Sequence, residues 1–276
     1  MENVRPRVHI KDTNIAHDLS TSPNKAPRNF DWYRDDNPAS DFTFVTDTEL
    51  TRWENCNAVA WLIEPPSVNP NIYYYVAENH KKFKYVLTFA KELTNMGENF
   101  LFYPFGGTRL QEDQCQLYDK TKLLSMILSD KQFTAGHQFR HRCKDVVSNI
   151  SDIYMPSEGH YVEKLDSCRD YMFTVVVENG VFNDYFTEKL IDSMLTGTIP
   201  IYNGTPNVVD YFDKEGIINF SNISELEDIV NNLDADTYCK RMDSVISNYD
   251  KAKEFFIAED WIWNNYRYLF NEHKQN

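Results

Sequence analysis

One stretch limits the fold more than any other: between Tyr171 and Tyr211 the chain spells strand, polar loop, helix and strand in that order. Met172–Val177 is a short, strongly apolar run with the composition of a buried strand. Asp184–Thr196 then sets Leu190, Ile191, Met194 and Leu195 on one helical stripe, and Gly197 supplies the residue type that closes a helix. Ile199–Tyr202 is again strand-like. A strand–helix–strand unit joins parallel neighbours, and parallel sheets carry helices on both faces.

The rest of the chain repeats this grammar. Strands are expected at Phe42–Val45, Ala58–Ile63, Tyr85–Phe89 and Phe100–Tyr103, with a helix from about Asn71 to Lys81 and a helical turn around Ala90–Met96. The strand at Ala58–Ile63 stops at Glu64-Pro65-Pro66, where two prolines cannot donate ladder bonds. Phe105-Gly106-Gly107 breaks the pattern, and the polar stretch through Asp119 reads as a connector. Beyond it come a strand at Leu123–Leu128, helices at Gly136–Val147, Ile223–Leu233 and Asp236–Asn248, and an aromatic C-terminal helix over Ala258–Phe270. The chain is therefore expected to be α/β, with a first domain over residues 1–110 (1–41 largely irregular) and a second over 111–257. Residues 258–276 are expected to pack back on the first half.

Composition removes several functions. At 42% hydrophobic and 25% charged residues, the chain can bury an ordinary core. Its 17 Tyr, 18 Phe and 5 Trp fit a plain, well-packed interior better than they argue for a deep cleft. A net charge of -14 and the lack of long basic stretches disfavour nucleic acid, whose sequence-independent binding needs clustered cations. Small anions stay open, because a few cations placed locally suffice. The five cysteines are scattered, with no CxxC pair, so neither a zinc site nor a disulfide framework is expected. Met1–Lys11 lacks an apolar run, and no segment approaches about 18 apolar residues. A soluble, cytoplasmic chain without a membrane span is the expectation.

Ligands of open α/β sheets sit where the carboxyl ends of strands meet helix N-termini. In the segment VVVENGVFNDYFTEKLIDSMLTGTIPIYNGTP that position holds Glu178, Asn179, Tyr185, Thr187, Glu188 and Lys189. Lys189 falls in the first helical turn, where the dipole disfavours a cation unless an anion is there too. Glu178 and Glu188 are acceptors suited to sugar or ribose hydroxyls. The spacing fits equally well a plain arrangement in which Asp184 and Glu188 cap a helix and Lys189 is solvated.

These residues carry a family likeness. Val177-Glu178-Asn179, Tyr185-Phe186-Thr187-Glu188-Lys189-Leu190, Ile199-Pro200-Ile201 and Asn203-Gly204-Thr205-Pro206 resemble the donor-binding core of the α-1,3-fucosyltransferases, strongly over about Lys164–Asn232. The resemblance implies the glycosyltransferase-B architecture: two Rossmann-like domains facing a cleft, with a C-terminal helix crossing back. It also implies no essential metal and inversion at the anomeric carbon. Phe133–Cys143 (FTAGHQFRHRC) is similar to the family stretch whose arginine grips the donor pyrophosphate, which points to Arg140, whereas Arg142 would face elsewhere around the helix. The family's catalytic base follows an early apolar strand. Here that is Glu64, ranked above Glu78 and Asp47, with apolar neighbours that would raise its pKa.

The donor-binding set is thus expected to be Arg140, Glu178, Asn179, Tyr185, Thr187, Glu188 and Lys189, with Glu64 catalytic and no metal ligand or cofactor. The expected partners are a nucleotide-diphosphate sugar and a glycan acceptor. Asp234-Ala235-Asp236 has the spelling of a metal-binding DxD, but between two helices it fits a helix cap. GDP-fucose is the family's default donor. Val177 and Asn203 stand where the family usually has aromatics, so a UDP-sugar such as UDP-xylose stays open. Compact members of this type resemble bacterial, phage or large-virus enzymes. The rivals are a non-catalytic sugar-nucleotide or glycan-binding module, and a dehydrogenase or methyltransferase, which the absence of a glycine-rich loop after an early strand opposes.

Overall fold

A computed structural model describes residues 5–12, 15, 19–34, 42–155 and 163–270. The chain divides into two compact units, Met1–Gly107 with Phe256–Asn276, and Thr108–Phe255. Both are parallel α/β structures.

In the first unit, strands β1 (Arg7–Lys11), β2 (Asp31–Tyr33), β3 (Thr43–Thr46) and β4 (Ala58–Trp61) precede helix α1 (Pro70–Asn79). Strand β5 (Tyr85–Thr88), the one-turn helix α2 (Lys91–Thr94) and strand β6 (Phe100–Phe102) follow. The sheet order is β2-β1-β3-β4-β5-β6, and every neighbouring pair is parallel. Each residue of β4 is buried, and α1 starts on Pro70, where the missing N–H has no partner to lose.

The second unit contains β7 (Lys122–Ile127), α3 (Ala135–Val147), β8 (Asp152–Tyr154), β9 (Tyr171–Val177) and α4 (Glu188–Met194). It continues with β10 (Ile199–Asn203), β11 (Ile218–Asn219), α5 (Ile223–Asn231), α6 (Ala235–Cys239) and α7 (Met242–Ala252). Its order is β11-β10-β9-β7-β8, again parallel throughout. The core joins Met126, Phe173, Val175 and Ile201 from the sheet to Cys143, Leu226 and Val245 from the helices. Asn222 caps α5 by accepting from Glu225 N at 3.0 Å, and Glu225 Oε2 accepts from Ser221 N at 2.7 Å.

The last helix, α8 (Ala258–Asn265), and the 3-10 turn Arg267–Phe270 pack within the first unit. Ile262, Trp263, Leu269 and Phe270 share one core with Phe30, Phe44 and Trp61. The abundance of aromatics is thus accounted for largely by packing, in edge-to-face and stacked pairs such as Trp32–Phe44 and Phe44–Phe270.

Several expected boundaries move. Order does not begin at Phe42. β1 lies between β2 and β3, and Phe30 and Ser22 are fully buried. The carboxylate of Glu259 holds Thr21 through N and Oγ1, both at 2.7 Å, so much of the stretch expected to be irregular is tied to α8. Part of that expectation, at 1–4, 13–14, 16–18 and 35–41, lies outside the described residues. The helix expected from Asp236 to Asn248 is two, α6 and α7, separated at Lys240–Arg241. The short strands β8 and β11 carry too few residues to show a period. Among the described residues, no helix is long and apolar enough to cross a membrane.

Candidate functional site

The order of the second sheet reverses between β7 and β9, and a crevice outside the carboxyl ends of the strands is expected at such a switch point. A pocket lies there. Ile127 at the end of β7 and Val175–Val177 at the end of β9 form its apolar wall, and Arg140, Lys164 and Lys189 bring three cations to it.

Arg140 comes from α3 and is almost fully buried. Its Nε and Nη2 donate to Val177 O at 3.1 and 2.5 Å, and Nη2 also reaches Asn179 Oδ1 at 3.2 Å. Nη1 makes no hydrogen bond among the described residues. The close approach that permits this bonding depends on Gly136. A Cβ there would lie 2.5 Å from Glu178 O and 2.6 Å from Asn179 C and O. Thr134 caps α3, and its Oγ1 lies 2.6 Å from His137 Nδ1. Burial, followed by the charges of Arg140, Lys131, Lys189 and His141, pushes the His137 pKa down to about 4.

The loop between β9 and α4 differs from the expected helix start at Asp184. Asp184 is left-handed (φ 63°), and its Oδ1 accepts from Asn207 Nδ2 and Tyr211 Oη. Residues 184–187 are therefore loop, and α4 begins at Glu188 with Thr187 as its cap. Nor are the first N–H groups all free. Glu178 Oε1 accepts from Thr187 N at 2.9 Å, and Thr187 Oγ1 accepts from Lys189 N at 3.4 Å. Glu178 Oε2 takes the Thr187 hydroxyl at 2.8 Å, so both oxygens of Glu178 are engaged in holding the loop. Tyr185 is buried beside Phe182. Gly204 is required for the same packing, because a Cβ there would strike the Tyr202 hydroxyl and lie 2.7 Å from Glu178 Cγ.

Lys189 Nζ donates to Thr187 Oγ1 at 2.9 Å and lies 3.2 Å from Glu188 Oε1 and 3.5 Å from Glu178 Oε2. Arg109 Nε stands 3.9 Å from the same Glu188 oxygen. Burial alone would raise the Glu188 carboxyl, but the cations of Lys189, Arg109 and Lys164 outweigh it and hold the group well below the usual carboxylate range. Behind them Asp192 is fully buried. Its Oδ1 accepts from Thr108 Oγ1 at 2.5 Å and Arg109 N at 2.9 Å. The structure thus gathers all seven expected donor-binding residues in the second unit. It adds Arg109, Lys164, Asp192 and Gly136, which the sequence reading missed. Only Gly136 left a local signal, a glycine in the first turn of an otherwise regular helix.

Glu64 belongs to the first unit, just after β4. Its N–H and that of Ile63 donate to Asp47 Oδ2 and Oδ1 at 3.0 and 2.9 Å, and its carbonyl accepts from Tyr73 Oη at 3.0 Å. Asp47 is fully buried and left-handed (φ 37°), so its carboxylate acts on the backbone that carries Glu64. Glu78 is exposed on α1. Asp234 caps α6 by accepting from Thr237 N and Oγ1, both at 2.7 Å. No group of three His, Cys, Asp or Glu side chains among the described residues is arranged to hold a metal ion.

Residues 120–252 match the model of the glycosyltransferase family 10 (fucosyltransferase) C-terminal domain. GDP-fucose protein O-fucosyltransferase 3 of Gallus gallus is 35% identical over 95 residues, 33% of this chain and 19% of the relative. Alpha-(1,4)-fucosyltransferase of Arabidopsis thaliana is 31% identical over 72 residues, 26% of this chain and 16% of the relative. The matches thus span less than a fifth of these relatives' lengths. Among solved structures, an α1,3-fucosyltransferase with GDP-fucose superposes with a TM-score of 0.61 at 16% identity, over 99% of this chain and 91% of that one. OtsA superposes with a TM-score of 0.53 at 11% identity, over 82% and 73%. The two parallel-sheet units have the glycosyltransferase-B fold.

Proposed function

Through residues 120–252 the chain belongs to glycosyltransferase family 10, the fucosyltransferases, and on that premise we propose that it transfers fucose from GDP-fucose to a glycan hydroxyl, with inversion and without a metal ion. The observation that carries this reading is the placing of buried Arg140 and partly buried Lys189 at the switch-point pocket, where a nucleoside diphosphate would bring its charge. Two fixed cations there do what a divalent ion does in other transferases.

The reaction is one in-line displacement. Glu64 accepts the proton of the acceptor hydroxyl as that oxygen bonds to the anomeric carbon. The bond from that carbon to the diphosphate oxygen breaks on the opposite side, and a single such displacement inverts the centre. The charge that grows on the departing diphosphate is met by Arg140 and Lys189, both already held in place by hydrogen bonds. Thr187, Glu178 and Asn179 fix those cations, Glu188 braces Lys189 by an ion pair from beside the pocket, and Tyr185 packs in the loop that carries them. Asp47 and Tyr73 hold the backbone of Glu64, so the base is preorganised through its main chain.

Titration of GDP and UDP into wild type with EDTA present, together with Lys189→Ala and Glu64→Gln, tests the proposal. The expected result is GDP binding that Lys189→Ala weakens, and transfer that Glu64→Gln lowers on the order of 100- to 10,000-fold with GDP affinity unchanged. Preference for UDP would assign a UDP-sugar donor such as UDP-xylose. A requirement for a divalent ion would refute metal independence, and unchanged transfer in Glu64→Gln would remove the base.

A further inference from the structure

Lys120, Lys164 and Lys189 of the second unit are partly enclosed, and two of them have hydrogen bonds to the protein. Lys120 Nζ donates to Cys168 O, Arg169 O, Thr196 O and Thr198 Oγ1, at 2.7–3.2 Å. Lys189 Nζ donates to Thr187. Lys164 differs. Its side chain is only 13% exposed, yet Nζ makes no hydrogen bond among the described residues, and its ion-pair contact is Asp192 Oδ2 at 4.0 Å. That oxygen is itself without a hydrogen bond.

An enclosed ammonium with unmet donors is costly, so such groups normally face a partner. Lys164 lines the switch-point pocket together with Arg140 and Lys189. No carboxylate lines it, in a chain whose net charge is -14. Asp192 is too far to use the lysine's donors but near enough to fix its charge, and the other oxygen of Asp192 is anchored by Thr108 and Arg109. The same carboxylate thereby braces the segment from which Arg109 meets Glu188.

We propose that Lys164 is a third cation of the donor site, held ready by Asp192, and that its ammonium bonds directly to the diphosphate of the nucleoside diphosphate. This rests on the donor pocket proposed above. Arg140 and Lys189 are each bonded to protein groups on two sides, so Lys164 is the cation with the most donor capacity to give a ligand. Its charge also reaches the carboxylate beside Lys189, since Lys164 is among the cations that depress Glu188.

The test is calorimetric titration of GDP, GMP and inorganic pyrophosphate into wild type, Lys164→Met and Lys164→Arg, each checked by thermal denaturation. Lys164→Met is expected to weaken GDP and pyrophosphate by about tenfold or more, the scale of a lost charge-assisted bond, and GMP much less. Lys164→Arg is expected to recover most of the loss. Equal affinity of wild type and Lys164→Met for GDP and pyrophosphate, with only the melting temperature lowered, would make Lys164 a counterion of Asp192 and overturn the proposal. If Lys164→Met does not fold, a folded Lys164→Arg with wild-type preference for GDP over GMP supports the assignment, and loss of that preference overturns it. Failure of wild type to bind GDP or pyrophosphate would instead refute the donor pocket itself.

Discussion

Replacing Gly136 by alanine sets two effects of opposite sign against each other. Gly136 is the second residue of α3, and alanine in a helix is favoured over glycine by about 1 kcal/mol. Against this, the added Cβ would lie 2.5 Å from Glu178 O and 2.6 Å from Asn179 C and O. An ordinary carbon–oxygen contact is about 3.3 Å or more, so helix and loop must separate by roughly 0.8 Å. All three opposing atoms are backbone, which cannot swing aside as a side chain can. Overpacking of this kind costs about 1–3 kcal/mol, and the rigid partners place it at the upper end. The net expectation is a loss of about 1–2 kcal/mol, or roughly 2–8 °C in melting temperature for a unit of this size. The same separation pulls Arg140 from Val177 O, where its bonds are 3.1 and 2.5 Å long, so GDP affinity should fall as well. Urea denaturation and GDP titration of Gly136→Ala measure both. An unchanged or raised stability would refute the packing argument, and a lowered stability with undiminished GDP affinity would separate Arg140 from the pocket.

Two further outcomes follow from the second unit. Lys120→Met removes four hydrogen bonds at once and takes from Arg169 O its donor, while Cys168 O keeps Thr198 Oγ1 and Tyr171 N and Thr196 O keeps Tyr118 N, so urea denaturation should show a loss of about 2 kcal/mol or more. Because the pKa of His137 falls to about 4 from 6.5, protonation favours the unfolded chain. Its contribution to stability is full above about pH 6.5 and is lost as the pH drops toward and through 4. Urea denaturation between those limits should therefore show a shallower pH slope in His137→Gln than in wild type, and equal slopes would refute the assignment.

What was legible in the sequence was what repeats. Long apolar strands such as Tyr171–Val177 and amphipathic helices such as Ile223–Asn231 announce themselves by period, and the motif around Glu178–Lys189 by its spacing. The three-residue strands β2 and β8 could not, nor could the place of β1 between β2 and β3, because pairing between distant strands leaves no local trace. The expected helix start at Asp184 failed for a related reason. Residues 184–187 have helix-like polarity, but long-range bonds from Asn207 and Tyr211 fix Asp184 in the left-handed region. Asp47 was visible as a carboxylate near Glu64, and only the fold shows that its oxygens are occupied with backbone N–H groups.

The carboxylates of the second unit show how an acidic chain can present a cationic pocket. Glu178 bonds to Thr187 with both oxygens, Asp192 bonds to Thr108 and Arg109, and Glu188 lies between Lys189 and Arg109. Each acid thus sits behind or beside a cation, fixing its position, while the pocket wall itself contains Arg140, Lys164 and Lys189 and no acid. Net charge says nothing about such a site, because Coulomb energy falls with distance and screening while the local order of charges persists. The sequence signature Glu-Lys is then better understood as a brace and the cation it braces than as two separate ligand contacts. That ordering also explains how Lys189 can stand in a first helical turn: Glu188 and Glu178 supply negative charge that offsets the repulsion between the cation and the helix dipole.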